Sequence, residues 1–364
     1  MRIYLDNNAT TAIHGEVLRV LETSFRDVFG NASSIHKEGQ TARQVIENAR
    51  DAVARLIGAA SRDIVFTSGG TESNNAAIFG ALPQGESSHI VTTAIEHPSV
   101  LEAARRCDAT CVPPTRDGVV DPAEVIGAIR PETRLVTVML ANNETGVIQP
   151  VAEIGQEVRR RGIHFHVDAV QAAGKIPIDV EQLHCDTLSL SAHKMHAPKG
   201  IGALWVRRGV SMLSHLVGGA QERRRRAGTE NVPLAAAFGE AARLAMEPMS
   251  PALRDLFESR LTGDITINGR TVPRLPNTSN VTFHGADGEG IVIALDLSGV
   301  AVSTGSACSS GRVEPSPVLL AMGLSPDDAR STVRFSLSRM NTEEEVVRVA
   351  TLLAELVPRC RRRA

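Results

Sequence analysis

The 364-residue sequence has no long apolar run, little net charge and no Cys-x-x-Cys pair. No segment approaches the roughly 20 apolar residues that a membrane-spanning helix requires. Asp6-Asn7-Asn8 interrupts the N-terminal segment too early for the apolar core of a signal peptide. A formal net charge of −2 gives no overall attraction to nucleic acid or to an anionic membrane. We therefore expect neither a membrane nor a nucleic acid as a partner.

The five cysteines, at positions 107, 111, 185, 308 and 360, are an odd number and include no Cys-x-x-Cys pair. This pattern argues against a disulfide framework and against a zinc site, and it favours the reducing cytoplasm. We accordingly expect no metal site built by the protein itself. A cysteine that matters for function is then a free thiol.

Short apolar runs alternate with helical patterns over the first 250 residues. Because the runs are almost entirely apolar, they suit parallel strands covered by helices on both faces. A helix capped by Ser33 or Ser34 and reaching Ile57 comes first, and Gly58 ends it. The alternation predicts an α/β fold with a mostly parallel sheet. The predicted strands are residues 64–67, 90–95, 135–140, 163–167 and 187–190.

The pattern changes near residue 250, after an alanine-rich helical stretch. Strand candidates there are residues 279–283, 300–303 and 332–337, and helices are predicted near 288–297 and 342–356. This mixture predicts a smaller α+β domain. We assign residues 14–250 to the large domain, and residues 1–13 and 251–364 to the small one.

Polar side chains follow several of the predicted strands. Gly70 and Thr71 lie where a strand meets a helix, and backbone N–H groups can bind an anion there. A well-capped helix start is the structural alternative. His97 could stack on a ring or serve a structural role, and Asn143 could recognise polar groups or only form a turn. Because parallel strands end at one edge of the sheet, where open α/β sheets bind ligands, we expect these residues to converge.

Asp168 and Lys194 follow two further strands at the same predicted edge. The amine of Lys194 can react with a carbonyl compound, and the carboxylate of Asp168 could reach the same place. A Schiff-base lysine and an acid for a pyridinium nitrogen are what a protein provides to bind pyridoxal phosphate. Most lysines are solvated surface charges, so this prediction depends on the convergence of the strand-end residues.

Cys308 lies in a run of small and polar residues, Ser303 to Gly311, that cannot pack as a core. We therefore expect its thiol to be exposed on a mobile loop at about residues 303–312, where it could collect sulfur and deliver it elsewhere. Cys360, in a basic tail, is the alternative reactive thiol. Arg334 lies within a predicted strand, where its guanidinium suits either a carboxylate ligand or a structural salt bridge.

Together these segments resemble the cysteine desulfurases of the NifS/IscS type, class V aminotransferases within the fold type I pyridoxal-phosphate enzymes. The resemblance extends from Tyr4 to about Glu345. The motifs that carry it are Gly-Thr-Glu-Ser-Asn-Asn from Gly70, Asn-Asn-Glu-Thr-Gly from Asn142, His-Val-Asp-Ala from His166, Ser-Ala-His-Lys from Ser191, Gln221-Glu222-Arg223, Ala227-Gly228-Thr229, Gly-Ser-Ala-Cys from Gly305 and Val313-Glu314-Pro315-Ser316.

The resemblance implies a role for each residue. Lys194 would form the Schiff base and move the Cα proton, Asp168 would pair with the pyridine nitrogen, and His97 would stack on the ring. Cys308 would attack the sulfur of bound L-cysteine, leaving a persulfide and releasing L-alanine. Gln171 would contact the phenolic oxygen of the cofactor. Asn143 would contact the cofactor and, together with Arg334, the substrate carboxylate. The phosphate would be held by Gly70, Thr71, Ser191, His193 and a neighbouring subunit's Thr229.

The resemblance also implies a homodimer and a sulfur acceptor, either an iron–sulfur scaffold or another protein, which makes Cys308 a possible cluster contact. Some relatives carry a C-terminal extension that meets the scaffold, whereas this sequence stops soon after its last predicted helix. Ser338 stands where relatives often have glycine. The enzymatic alternative is a selenocysteine lyase or another class V aminotransferase-fold enzyme. The non-enzymatic alternative is a sulfur-pathway scaffold or regulator.

Overall fold

A computed structural model of the chain describes residues 2–82, 88–304 and 314–361, so Cys308 lies outside the described residues. The described strands, in chain order, are β1 (Ile3–Tyr4), β2 (Ile64–Thr67), β3 (His89–Thr93), β4 (Asp108–Val112), β5 (Thr133–Met139), β6 (His164–Asp168), β7 (Thr187–Ser191), β8 (Gly202–Val206), β9 (Ile265–Ile267), β10 (Thr278–Phe283), β11 (Val300–Ala301) and β12 (Thr332–Ser336).

The described α-helices follow the same order. They are α1 (Gly15–Asp27), α2 (Lys37–Leu56), α3 (Gly70–Ala81), α4 (Pro98–Ala104), α5 (Pro122–Gly127), α6 (Val151–Arg160), α7 (Val232–Leu244), α8 (Ala252–Arg260), α9 (Gly288–Leu297), α10 (Pro317–Ala321), α11 (Pro326–Arg330) and α12 (Glu343–Leu356). Within these described ranges no helix is both long enough and apolar enough to cross a bilayer.

Seven strands form the large sheet, in the order β2-β8-β7-β6-β5-β3-β4. The pairs from β7 through β4 are parallel, whereas β8 pairs antiparallel with both β7 and β2. Trp205 of β8 therefore lies opposite Leu188 on one side and Ile64 on the other. The predicted α/β fold with a mostly parallel sheet is confirmed, and β8 is a strand that the sequence analysis did not include.

Helices cover both faces of this sheet, as the contacts of two successive side chains of β6 show. Successive side chains of a strand point to opposite faces. Phe165 packs so closely on α6 that a Cβ at Gly155 would lie 2.9 Å from its ring. The next residue, His166, hydrogen-bonds to Asn74 of α3. The α6 and α3 helices thus lie on opposite faces.

A second apolar core surrounds a three-stranded antiparallel sheet of order β12-β10-β9. It contains Phe283 and Phe335 from the sheet, Phe257 from α8, and Ile3 and Leu5 from the N-terminal arm. The arm reaches this core because β1 pairs with β11. The division at residues 14 and 250 stays a prediction.

The long helix α2 begins at Lys37 rather than after Ser33 or Ser34 as predicted. Asn31 accounts for the difference, because its side chain accepts the N–H of Ser33 and its carbonyl accepts the N–H of Ser34. Those bonds form a turn, and His36 then caps the helix through its Nδ1 atom. At the other end Gly58 follows with a φ of +67°, as the predicted stop requires.

The close contact between α2 and α7 depends on Gly239. A Cβ added there would lie 2.6 Å from the Cα of Ala49. We expect Gly239→Ala to destabilise the protein by about 1–3 kcal/mol, because the two helix backbones must separate. The midpoint of denaturant unfolding measures this loss.

Gly127→Ala is the matched control. It lies at the end of α5, where an added Cβ would meet nothing within 4 Å. It should leave stability unchanged or raise it by about 0.5–1 kcal/mol through the higher helix propensity of alanine. Equal effects of the two substitutions would contradict the close-contact explanation.

Candidate active site

A cavity of about 260 Å³ lies beyond the carboxyl ends of five strands of the large sheet. Nine of the ten residues that the sequence analysis assigned to the cofactor line it, and Thr229 does not. The nine are Gly70, Thr71, His97, Asn143, Asp168, Gln171, Ser191, His193 and Lys194.

The N-terminus of α3 opens onto this cavity through Gly70 and Thr71. Its N-cap residue, Gly69, supplies no side-chain hydrogen bond, so the helix start keeps N–H groups for an anion. Ser191 ends β7 nearby. A side chain at position 70 would intrude on the site, because its Cβ would lie 2.8 Å from Val170.

His193 contributes a neutral ring to the same end of the cavity. Burial, followed by the charge of Lys194, lowers the pKa of His193 to about 4. Its Nδ1 atom lies 3.2 Å from the hydroxyl of Thr10. A neutral imidazole can still donate one N–H to an anion.

Asp168 is the last residue of β6 and is nearly buried. One carboxylate oxygen accepts the side-chain N–H of Asn74 at 2.8 Å. The other accepts the backbone N–H of Val170 at 2.9 Å. Within the described residues these are its hydrogen-bond donors, and both are neutral. The carboxylate can therefore pair with a cationic ring N–H.

His97 is the N-cap residue of α4. Its Nδ1 atom accepts the backbone N–H of Ser99 at 3.1 Å and lies 2.8 Å from the Ser99 hydroxyl. Burial is the largest influence on the pKa of His97 and lowers it. The imidazole is thus neutral near pH 7, with its proton on Nε2, because Nδ1 is the acceptor.

Lys194 ends a short turn, Ala192–Lys194, that follows β7 directly. Its amine donates to the backbone carbonyls of Asn8 and, at 2.8 Å, of Ala9. Burial and then the charge of Arg334 lower the pKa of Lys194 to about 8, against an opposing effect of Asp168. A substantial fraction of the amine is therefore uncharged and nucleophilic near neutral pH.

Gln171 and Arg334 lie on either side of the N-terminal arm. The Nε2 atom of Gln171 donates to the carbonyl of Asn8 at 2.9 Å. Arg334, buried in β12, donates to Asp6 at 2.6 Å and to the carbonyl of Asn143 at 3.2 Å. Its Nε atom is buried and has no hydrogen-bond partner among the described residues. The structural salt bridge considered for Arg334 is thus present, and its Nε donor is left over.

Of the described residues that the sequence assigned to the site, Thr229 and Arg334 do not line the cavity. Thr229 is exposed and follows a turn, Gln221–Arg224, in which three successive non-glycine residues have positive φ. Cys308 lies in residues 305–313, outside the described ranges. The sequence analysis overlooked Asn74 and Ser99, which also line the cavity. The position of Asn74, three residues after Thr71 on one helix face, was the signal that could have revealed it.

These residues fit pyridoxal phosphate. The uncapped start of α3 suits the phosphate, and the buried carboxylate of Asp168 lacks a cationic partner among the described residues. The amine of Lys194, with its pKa lowered to about 8, suits the aldehyde. The fold and the site together define the class of fold type I pyridoxal-phosphate enzymes.

Comparison with known proteins identifies the family. A model of the aminotransferase class-V family matches residues 3–349, so the chain belongs to that family. It is 46% identical to a cysteine desulfurase of Trichormus azollae over 99% of this chain and 94% of that one. A solved NifS-like protein superposes with a TM-score of 0.91 at 36% identity, covering 98% and 100% of the two chains. The structure of SspA in complex with cysteine gives a TM-score of 0.84 at 36% identity, covering 93% and 99%.

The lowered pKa of Lys194 predicts when its amine reacts. We expect the rate at which the cofactor-free protein captures pyridoxal phosphate to rise with pH through about 8, because only the uncharged amine attacks an aldehyde. Stopped-flow absorbance at several pH values measures the rate. Lys194→Ala should abolish the capture. A rate that rises only near pH 10.5, the pKa of an ordinary lysine, would contradict this environment.

Proposed function

We propose that the protein is a cysteine desulfurase that binds pyridoxal phosphate, removes sulfur from L-cysteine and holds it as a persulfide on Cys308. The family and the relatives named cysteine desulfurase support this activity. The observation that carries the proposal is the attachment of the cysteine segment. Both of its described ends are bonded next to the residues assigned to the substrate carboxylate.

Ser303 forms the first attachment. It exchanges backbone hydrogen bonds with Arg334, at 2.6 and 3.3 Å. The second attachment is Ser316, whose hydroxyl donates to the carboxylate of Glu144, the residue after Asn143. Arg334 itself donates to the carbonyl of Asn143. The segment that contains Cys308 thus starts and ends beside Arg334 and Asn143.

These attachments limit where the thiol can go. Thr304 is the last described residue before the segment, and Cys308 follows four residues later. Four residues span at most about 14 Å when fully extended. This bound places Cys308 within reach of a substrate whose carboxylate Arg334 would hold.

Each side chain of the site would have a separate role in the proposed reaction. Arg334 and Asn143 would orient the carboxylate of L-cysteine, and the leftover Nε donor of Arg334 supports this role. Asp168 would keep the ring nitrogen of the cofactor protonated, and His97 would lie against the ring. Pyridoxal phosphate would supply an electron sink that makes the substrate Cα–H acidic. Lys194, whose pKa is lowered to about 8, would take that proton on Nζ in its uncharged form and return it.

The overall sulfur transfer balances without a further reactant. The thiolate of Cys308 attacks the substrate sulfur, so an S–S bond forms as the Cβ–S bond breaks. The electron pair of the broken bond goes to the carbon side, where protonation gives the methyl group of L-alanine. Cysteine and the enzyme thiol thus become alanine and an enzyme persulfide. The thiol sulfur is oxidised while the substrate carbon is reduced.

Cys308→Ala tests the proposal. We expect this variant to lose production of persulfide and of alanine from L-cysteine while the visible absorbance of its bound pyridoxal phosphate stays unchanged. Cys360→Ala is the matched control for the alternative thiol, because burial raises the pKa of Cys360 and disfavours its thiolate. Undiminished alanine production by Cys308→Ala would favour the lyase or aminotransferase alternative. Failure of the unaltered protein to bind pyridoxal phosphate would favour the scaffold alternative.

We also propose a homodimer in which the neighbouring subunit's Thr229 contacts the phosphate. The exposure of Thr229 and its absence from the cavity of its own chain support this arrangement. Equal mixing of Lys194→Ala and Thr229→Asp subunits should restore activity to about a quarter of the normal value. Half of the dimers are then mixed, and each has one intact site. A mixture no more active than its parts would contradict a shared site.

Delivery of the sulfur completes the proposal. We propose that the persulfide passes to an iron–sulfur scaffold or another acceptor protein in the cytoplasm. The free thiols of Cys107, Cys111, Cys185 and Cys360 support a reducing compartment.

A further inference from the structure

A chain of buried polar side chains extends from the large sheet to the cofactor cavity, and Asn74 lies at its branch point. The amide of Asn74 forms three side-chain hydrogen bonds, and the residue is only 1% exposed. Its Nδ2 atom donates to Asp168 at 2.8 Å and to the Ser99 hydroxyl at 2.9 Å. Its Oδ1 atom lies 3.1 Å from Nε2 of His166. Both N–H bonds and the carbonyl of this amide are therefore used.

The chemistry of these groups gives each bond a direction. A carboxylate only accepts, so the amide nitrogen of Asn74 must face Asp168. The amide oxygen then faces His166, and because a carbonyl also only accepts, the Nε2 atom of His166 must carry a proton. Burial lowers the pKa of His166 to about 3, so the ring is neutral and its Nδ1 atom accepts from the hydroxyl of Thr187, 2.9 Å away.

The second branch ends on His97. The Ser99 hydroxyl accepts from Asn74, so its own proton is free to point at the Nδ1 atom of His97, 2.8 Å away. The two branches thus place one neutral amide between the carboxylate and the imidazole. Asp168 and His166, at the two ends of that amide, together fix its orientation.

We propose that Asn74 and His166 are positioning residues that orient the Asp168 carboxylate and the His97 imidazole toward the bound cofactor. This inference rests on the proposed function. In the proposed reaction neither residue touches the reacting atoms. His166 helps to hold the amide of Asn74 in one orientation, and Asn74 holds the carboxylate of Asp168. Loss of either leaves the carboxylate free to rotate away from the ring nitrogen that it must face.

Substitution of each residue tests the inference through cofactor binding. We expect Asn74→Leu to raise the dissociation constant for pyridoxal phosphate about 10- to 100-fold, the effect of losing a hydrogen bond to a charged group. His166→Leu should act in the same direction, by about tenfold. Both should shift the pH dependence of the visible absorbance of the bound cofactor, because that absorbance reports the protonation that Asp168 controls. Unchanged affinity and an unchanged pH profile in folded variants would overturn the inference.

His164→Leu is the matched control. The His164 ring contacts the same hydroxyl of Thr187, at 3.0 Å, from the same strand, but it makes no described hydrogen bond to Asn74. It should leave cofactor affinity within about twofold. Equal losses in His164→Leu and His166→Leu would show a general effect of disturbing the sheet and would overturn the assignment.

A spectroscopic measurement on the unaltered, cofactor-free protein tests the network without relying on cofactor affinity. Nitrogen-15 NMR of labelled histidine distinguishes the two neutral tautomers, and His166→Leu assigns the signal. We expect His166 to carry its proton on Nε2 and to remain neutral down to about pH 4, because its pKa is about 3. A proton on Nδ1, or titration near pH 6.5, would overturn the direction of the network. If the unaltered protein binds no pyridoxal phosphate, the proposed function fails, but this result still stands.

Discussion

Asp168 places a carboxylate at the carboxyl end of β6, where the residue is only 5% exposed. A buried carboxylate costs several kcal/mol of desolvation, and each hydrogen bond to it returns about 1.5–3 kcal/mol. Among the described residues its donors are the amide of Asn74 and the N–H of Val170. Neutral donors hold the carboxylate in place but leave its charge uncompensated. A cationic ring N–H from a ligand would compensate it, so cofactor binding would relieve this desolvation cost.

The same burial lowers the pKa of the basic groups around Asp168. Burial lowers the pKa of His97, of His193 to about 4 and of Lys194 to about 8. A charged group here could pair with Asp168 and compete with the ligand, and the lowered pKa values weaken that competition. The low polarity that makes Asp168 costly to bury is therefore also what makes the amine of Lys194 reactive. One environment produces both properties.

The strand ends could be predicted from the sequence because they depend on a general rule of parallel sheets. That rule brought Thr71, His97, Asp168 and Lys194 to one edge before any contact was known. The direction of β8 could not be predicted, because an apolar run does not specify whether it pairs parallel or antiparallel.

Other features depend on contacts that sequence spacing does not contain. Asn74 lay within a recognised motif, yet its importance comes from the partners that it meets on strand β6 and on a second helix, α4. The two alternatives for Arg334 could not be separated from sequence either. In the structure it pairs with Asp6 while its Nε atom keeps a free donor.

Asn8 of the N-terminal arm connects the two cores at the site. Its side-chain amide donates to Thr278 at 2.9 Å and to the carbonyl of Asn143 at 3.1 Å, and its backbone carbonyl accepts from Gln171 and Lys194. Lys194 must leave this carbonyl whenever its amine bonds to an aldehyde. A carboxylate in the same place would have raised the pKa of the amine and held it as an ion pair. A neutral carbonyl orients the amine without protonating it, so the arm can hold the lysine ready for reaction and still release it.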